Sequence, residues 1–265
     1  MAARIIVAGC GRMGLPMARA LRAAGFDAGG HDVRPRDDFG DFAAHMVDVA
    51  GLRAADILIS VVRDAEETQA LLFGRQAALS GRVSTLVISS TLSPKFVTSL
   101  AARVPDHIVL VDAPMSGAQV AAEERRLSFM LGGDGAALDR LQPLFEAMGT
   151  KFHRMGGFGA GMTGKVLNNY VSAACAATTR RALDWAVDLG LDRAKLLALM
   201  HDSSGQNWFA SNFERIEFAR DGYATDNTIG ILPKDVASAL DGVGAPNDPV
   251  GQAVIGYLKT LKPMA

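Results

Sequence analysis

Six residues near the amino terminus raise the first chemical question. Gly9-Cys10-Gly11-Arg12-Met13-Gly14 follows an apolar run, Arg4-Ile5-Ile6-Val7-Ala8, and helical periodicity begins near Gly14-Leu15-Pro16-Met17. In that setting each glycine has its own task. The first permits a tight turn, the second lets a pyrophosphate approach the backbone, and the third lets helix and strand pack closely. The N–H groups and positive dipole end of the helix complete an anion site. Gly9, Gly11, Arg12, Met13 and Gly14 are therefore the candidate cofactor loop. An acidic residue about 20 positions on should hold the adenine ribose, and Asp32 stands there in His31-Asp32-Val33-Arg34. Its carboxylate favours NAD, because it repels a 2′-phosphate. Arg34 is close enough to keep NADP open. Three glycines alone would fit a turn without a ligand; strand, helix and Asp32 together point to a dinucleotide.

Two further groups carry chemistry. Asp112-Ala113-Pro114-Met115-Ser116-Gly117 ends a strand-like run. Open α/β sheets bind ligands at that edge, and a serine hydroxyl with glycine N–H groups can receive a carboxylate. A structural loop would use the same turn residues. Gly156-Gly157-Phe158-Gly159-Ala160-Gly161 then leads to Lys165 and Asn168-Asn169. These glycines read as a mobile connection into a long helix, on which Lys165 and Asn169 share a face. A lysine can act as general acid/base if burial or charge lowers its pKa from about 10.4. The plainer alternative is a solvated lysine at a helix start. Lys234-Asp235 opens a late helix and alone is a common surface pair. The histidines show no HExxH spacing and Cys10 and Cys175 form no CxxC, so no metal site or disulfide framework is expected.

The elements that must position these groups alternate in the first half. Apolar runs recur at Asp56–Val62, Thr85–Ile88, His107–Val111 and Leu127–Leu131, with helical stretches such as Glu66–Leu72 and Pro94–Arg103 between them. Runs of this length suit strands buried on both faces, and the alternation implies a doubly wound, Rossmann-type sheet. The strand leading to Asp32 is weak, with Gly29 and Gly30 inside it. Beyond residue 160 no strand pattern remains. An alanine-rich stretch from Met162 to about Leu189 reads as one long helix stopped by Gly190. Arg193–Met200, Trp208–Ala219, Lys234–Leu240 and Val250–Lys259 read as further helices. The expected organisation is an α/β dinucleotide domain over 1–160 and an all-α domain over 161–265, the latter for substrate and oligomerisation.

Composition agrees with a small-molecule partner. Lys plus Arg number 27 against 28 Asp plus Glu, which leaves no electrostatic footprint for nucleic acid or anionic membrane. No apolar run reaches the ~18 residues of a span, and no leader pattern precedes the first strand. A cytoplasmic protein is expected.

In order and spacing these pieces resemble the β-hydroxyacid dehydrogenase family, whose best-known members are 3-hydroxyisobutyrate dehydrogenases. The resemblance covers nearly the whole chain. It is carried by Val7–Ala18, Ser90-Thr91-Leu92-Ser93-Pro94, Asp112–Gly117, Gly156 through Asn169, and Lys234-Asp235. It implies a Rossmann domain, a helical domain, and a homodimer or homotetramer. It also implies roles. Lys165 would be the catalytic acid/base and Asn169 would orient substrate and lysine. Ser116 with the backbone of Gly117 and Ala118 would hold the substrate carboxylate. Thr91 would lie near the nicotinamide, and Lys234 near the cofactor across the domain cleft. The implied reaction is hydride transfer between a small β-hydroxy acid and its semialdehyde, with NAD or NADP. The chain departs from the family pattern at Ala118, Ala121, Arg125 and Arg126, where glycines and a threonine are usual. Alanine in place of glycine would strain a backbone needing positive φ, while Arg125 and Arg126 read as solvated charges. These departures leave a non-catalytic, cofactor-binding sensor as an alternative. An imine reductase shares the fold but is disfavoured by Lys165. A methyltransferase is disfavoured by the helical second half.

Overall fold

The computed structural model describes residues 3–264 and consists of two compact units that part between Lys165 and Val166. In the first unit strands and helices alternate. They run Ile5–Ala8 (β1), Gly14–Ala23 (α1), Ala28–His31 (β2), Val49–Arg53 (α2), Ile57–Ser60 (β3), Ala65–Leu72 (α3) and Thr85–Ile88 (β4). Then come Pro94–Ser99 (α4), Val109–Asp112 (β5), Met115–Ser116 (β6), Ala118–Glu123 (α5), Leu127–Gly133 (β7), Gly135–Met148 (α6) and Gly149–Gly156 (β8).

The strands form one sheet in the order β2-β1-β3-β4-β5-β7-β6, with β8 beside β7. The five strands from β2 to β5 pair in parallel, as buried apolar runs require. Their side chains alternate between two cores. Ile5, Val7, Ile59, Val87 and Val111 join the core that includes α1 and α6, while Ile6, Leu58, Leu86 and Ile88 join the core that includes α2 and α4. The far edge is mixed, because β7 runs antiparallel to β5 and β6. The link from β6 to β7 holds only the six residues of α5 as a helix, too short for a parallel crossover of a dozen residues or more. β8 has no counterpart in the sequence expectation: its residues are mostly exposed and lack the apolar run of a buried strand.

Glycines 29 and 30 do not weaken β2. A Cβ at Gly29 would lie 2.8 Å from the His45 carbonyl oxygen, and one at Gly30 would lie 2.6 Å from Cys10 Sγ. The turns of residues 36–45 cover the strand too closely for larger side chains, and Gly30 pairs with Met46 in a single parallel bridge.

The helix Ala160–Asp188 (α7) continues from the first unit into the second. Gly190 follows it at φ +75°, the left-handed stop that glycine supplies. Arg193–Asp202 (α8), Trp208–Ser211 (α9), Thr228–Val243 (α10) and Pro249–Leu258 (α11) complete the second unit. Asp192, Asn207, Asn227 and Asp248 cap them, each side chain accepting the N–H three residues on, the preferred N-cap arrangement. Two expectations are corrected. The helix expected over Trp208–Ala219 ends at Ser211. The buried Arg180 guanidinium takes the carbonyls of Ala219 and Asp221 at 2.7 and 2.8 Å, so tertiary bonding holds the backbone that a helix would have held. The helix expected to open at Lys234 begins at Thr228, because Asn227 caps it and Pro233 lies inside it. Among the described residues no helix is long and apolar enough to cross a membrane.

Candidate active site

The turn after β1 shows the division of labour expected of its glycines. Gly9 has φ +92°, and a Cβ there would lie 2.7 Å from the Val61 carbonyl oxygen. A Cβ on Gly14 would lie 2.1 Å from the Gly9 carbonyl oxygen, whereas one on Gly11 would meet nothing within 4 Å. The first and third glycines thus satisfy the protein's own packing, and the second keeps the outer face of the turn clear. Met13 caps α1 without a side-chain hydrogen bond, which leaves N–H groups at the helix start for an anion. These features fit a bound dinucleotide pyrophosphate. A cleft of about 480 Å³ adjoins the turn and is lined by Gly11, Arg12, Arg19, Arg34 and Arg125 among others.

Asp32 follows β2 and is half-buried. Arg34 grips both of its oxygens, Nε to Oδ1 at 3.0 Å and a terminal nitrogen to Oδ2 at 3.1 Å, and its backbone N–H adds a third bond. Arg34 also donates to the Cys10 carbonyl at 2.8 Å and lies over the Phe39 ring. Burial pulls the Asp32 pKa upward, but the bonds and charge of Arg34 outweigh it and hold the carboxyl below its ordinary range. Cys10 beneath it is inert: burial, reinforced by the Asp32 charge, pushes its thiol up to about 12.

At the other side of the sheet, β4 is followed by buried Ser89 and Ser90 and half-buried Thr91. Ser89 donates to the Ala113 carbonyl at 2.9 Å, tying this loop to the one after β5. Ser116 lies in the short strand β6, paired with Ser128. Gly117 (φ +138°) and Ala118 (φ +55°) turn the chain into α5. Ala118 therefore does occupy a positive-φ position. Ala121 does not strain the backbone; it lies buried within α5. Of the four departures, the other at positive φ is Arg125, at +56°. Arg126 is exposed and pairs with Glu124, whereas Arg125 lines the cleft beside the glycine turn.

The segment expected to be a mobile connection is a packed one. Gly159 and Met162 each donate a backbone N–H to the carboxylate of Asp112, the former at 2.6 Å. Asp112 is fully buried, and burial raises its pKa despite these bonds. Lys165 follows on α7 with only 7% of its surface exposed, not as a solvated lysine. Asn169 lies one turn on. In the second unit its amide donates to Asp235 Oδ2 at 2.6 Å, and Lys234 Nζ lies 3.6 Å from Asp235 Oδ1. Asp235 is 3% exposed. Asp112 and Asp235 are the residues that sequence reasoning left without a role. The signal for the second was the Lys234-Asp235 pair itself.

Both parts of the chain match known families. Residues 4–157 match the family described as the NAD binding domain of 6-phosphogluconate dehydrogenase. Residues 159–255 match the one described as the NAD-binding of NADP-dependent 3-hydroxyisobutyrate dehydrogenase. The chain belongs to the β-hydroxyacid dehydrogenase family. It is an NAD(P)-dependent oxidoreductase, and its first unit carries the dinucleotide-binding fold. It is 30% identical to an NAD-dependent L-serine dehydrogenase of Pseudomonas aeruginosa, over 97% of this chain and 92% of that one. It is 32% identical to a 3-hydroxyisobutyrate dehydrogenase of the same organism, over 88% of this chain and 82% of that one. Among solved structures, a Mycobacterium tuberculosis 3-hydroxyisobutyrate dehydrogenase with L-serine superposes with a TM-score of 0.81 at 26% identity, covering 99% and 97% of the two chains.

Proposed function

We propose that the protein interconverts a short β-hydroxy carboxylate and its semialdehyde, with Lys165 as general acid/base. The observation that carries this reading is Lys165 itself. It is a buried lysine in the second turn of α7, four residues before an asparagine whose amide is held by a buried carboxylate. Burying a lysine without purpose is expensive.

When bound, the dinucleotide supplies the hydride acceptor or donor. The chain supplies position and proton transfer. Gly11 and the uncapped start of α1 receive the pyrophosphate, with Arg12 and Met13 in the same turn. Asp32 accepts from the adenosine ribose, which favours NAD. Arg34 partly neutralises that carboxylate and so leaves NADP usable. Thr91 adds a cofactor contact in the same unit, and the family resemblance gives Lys234 a cofactor-binding role as well. The hydroxyl of Ser116 and the N–H groups of Gly117 and Ala118 receive the substrate carboxylate. In oxidation Lys165 Nζ takes the hydroxyl proton; in reduction it returns one to the carbonyl oxygen. Asn169 is fixed through its nitrogen by Asp235, and its oxygen, which accepts only a long 3.4 Å bond from Asn168, is the group proposed to orient the substrate hydroxyl or the lysine.

Relatives named for L-serine and 3-hydroxyisobutyrate share a carboxylate and a β-hydroxyl, which supports this substrate class. Exposed Trp185, Leu189 and Trp208 in the second unit support assembly with further copies of the chain.

Absorbance at 340 nm, with NADH and NADPH against a panel of short semialdehydes, tests the proposal. The expected result is turnover that collapses by about a thousandfold in Lys165→Ala, within the range of general acid/base contributions, while NADH still binds. Turnover that survives in the variant overturns the role of Lys165. NADH binding without turnover on any semialdehyde overturns the substrate class.

A further inference from the structure

We propose that Asp112 is a positioning residue for catalysis: its carboxylate clamps the first turn of α7 and so sets the span between the carboxylate-receiving loop and Lys165. The inference rests on the reading of Lys165 as the acid/base.

A fully buried carboxylate needs compensation for its lost water. Asp112 has no ion pair among the described residues. Its compensation comes from the N–H groups of Gly159 and Met162, at the start of α7. Those donors have no partner within the helix, and the helix dipole there favours a negative charge. Asp112 thus caps α7 from residues 47 and 50 positions away in sequence, where a helix ordinarily uses the residue just before it.

The surroundings are shaped for this contact. A Cβ on Gly132 would lie 2.2 Å from Asp112 Oδ1, and one on Gly161 would lie 2.9 Å from Oδ2 and 2.4 Å from the Met130 carbonyl oxygen. Only glycine at both places admits the carboxylate between β7 and α7. The Met162 sulfur adds a second tie, 3.4 Å from the Leu92 nitrogen in the loop after Thr91. Met162 is also fully buried.

What the clamp connects gives it a function. Asp112 ends β5, and four residues later the chain presents Ser116. Met162 lies one helical turn before Lys165. One side chain therefore joins the segment that receives the substrate carboxylate to the helix that carries the proton-transfer group. Their separation decides which hydroxy acid places its hydroxyl at Nζ. A misplacement of 1 Å can cost about a hundredfold in rate.

The test is Asp112→Asn, which keeps the shape but points an amide N–H at a backbone N–H. The expected result is NADH affinity within about threefold of wild type and a kcat about a hundredfold lower. The kcat/KM ratio between a hydroxy acid and its homologue one methylene longer should also shift several-fold toward the longer one. A merely structural role lowers the active fraction and leaves that ratio unchanged, which would overturn the proposal. In a Lys165→Ala background, Asp112→Asn should add less than about threefold; full additivity would show that Asp112 does not act through the lysine. If Lys165→Ala alone retains turnover, the acid/base reading has failed. If Lys165→Ala is dead and Asp112→Asn is fully active, only the clamp has failed. Should Asp112→Asn not fold, amide exchange in the wild-type chain decides. The Gly159 and Met162 N–H groups must then exchange as slowly as those of the central strands, and exchange at loop rates overturns the clamp.

Discussion

Two glycine-rich segments of the first unit have similar composition and opposite uses. In Gly9–Gly14 the middle glycine faces open space, and the turn leaves backbone donors for a ligand from outside. In Gly156–Gly161 the last glycine stands against the Asp112 carboxylate and the Met130 carbonyl oxygen, and the N–H groups of Gly159 and Ala160 already donate within the protein. Glycine there marks close approach of the chain to itself, although its sequence reads as a loose connection. What separates a binding turn from a packed joint is the partner, and the partner of the second segment lies far away in sequence.

The largest effect separating the two is expected from Gly161→Ala. Its Cβ would meet backbone at 2.4 Å, and backbone in a sheet yields little. Overpacking of this kind costs about 2–3 kcal/mol, seen as a lowered urea midpoint with an unchanged slope. Near-wild-type stability would show that the segment is loose after all.

Gly11→Ala should do the reverse. With nothing near its Cβ, stability should stay within about 0.5 kcal/mol of wild type. The added methyl occupies the face proposed for the pyrophosphate, so NADH affinity should fall about tenfold, or about 1.4 kcal/mol. Titration of NADH fluorescence beside a thermal melt reads both. Lost stability with intact affinity would place the cofactor elsewhere.

These contrasts also show which parts of the molecule were legible in the sequence. The shape of the Gly9–Gly14 turn was, because what fixes it and the place of Asp32 lies within one strand-helix-strand unit. Four of the five parallel strands were, because burial on both faces leaves apolar runs. Asp235 was not, since its role depends on Asn169, 66 residues earlier. Nor was the early end of the helix at Ser211, which depends on Arg180 reaching forward to Ala219. The glycines of β2 read as weakness until the covering of residues 36–46 showed why no side chain fits.

The end of the turn beside Asp32 offers a finer contrast, since Arg34 occupies the carboxylate proposed for the ribose. Arg34→Ala should raise the preference for NADH over NADPH by about fivefold, or about 1 kcal/mol. It removes a cation from the 2′-phosphate side and frees Asp32. The pairing also has a pH signature. The folded-state pKa of Asp32 is depressed below its ordinary 3.8, so its stabilisation is fully present above that value and is lost as pH falls through the folded one. In Arg34→Ala the side-chain bonds and charge that depress the pKa are gone while burial still raises it, so that acid-side loss should shrink. Carboxylate titration of Asp32 by NMR, compared between the two proteins, should show the midpoint rise. An unchanged midpoint would mean that Arg34 does not hold the carboxylate in solution.

The smallest expected effect concerns Arg125, which stands in a left-handed conformation at φ +56° where α5 ends. The Arg126 N–H closes onto the Ala121 carbonyl at 2.7 Å and the Arg125 N–H onto that of Ala122 at 3.3 Å, a C-terminal closure that glycine ordinarily makes. A side chain there costs about 1 kcal/mol in backbone energy. The Arg125 side chain is exposed, so its removal forfeits little packing. Arg125→Gly should therefore raise stability by about 0.5–1 kcal/mol, or roughly 1–3 °C in Tm for a chain of this size. The same side chain lines the cleft with Arg12 and Arg34, so the melt should be repeated with NADH and with NADPH. Equal gains in all three melts are expected of a solvated charge that binds neither cofactor. A gain in the free protein that vanishes with NADPH would show that the strain is retained because the guanidinium meets the extra phosphate.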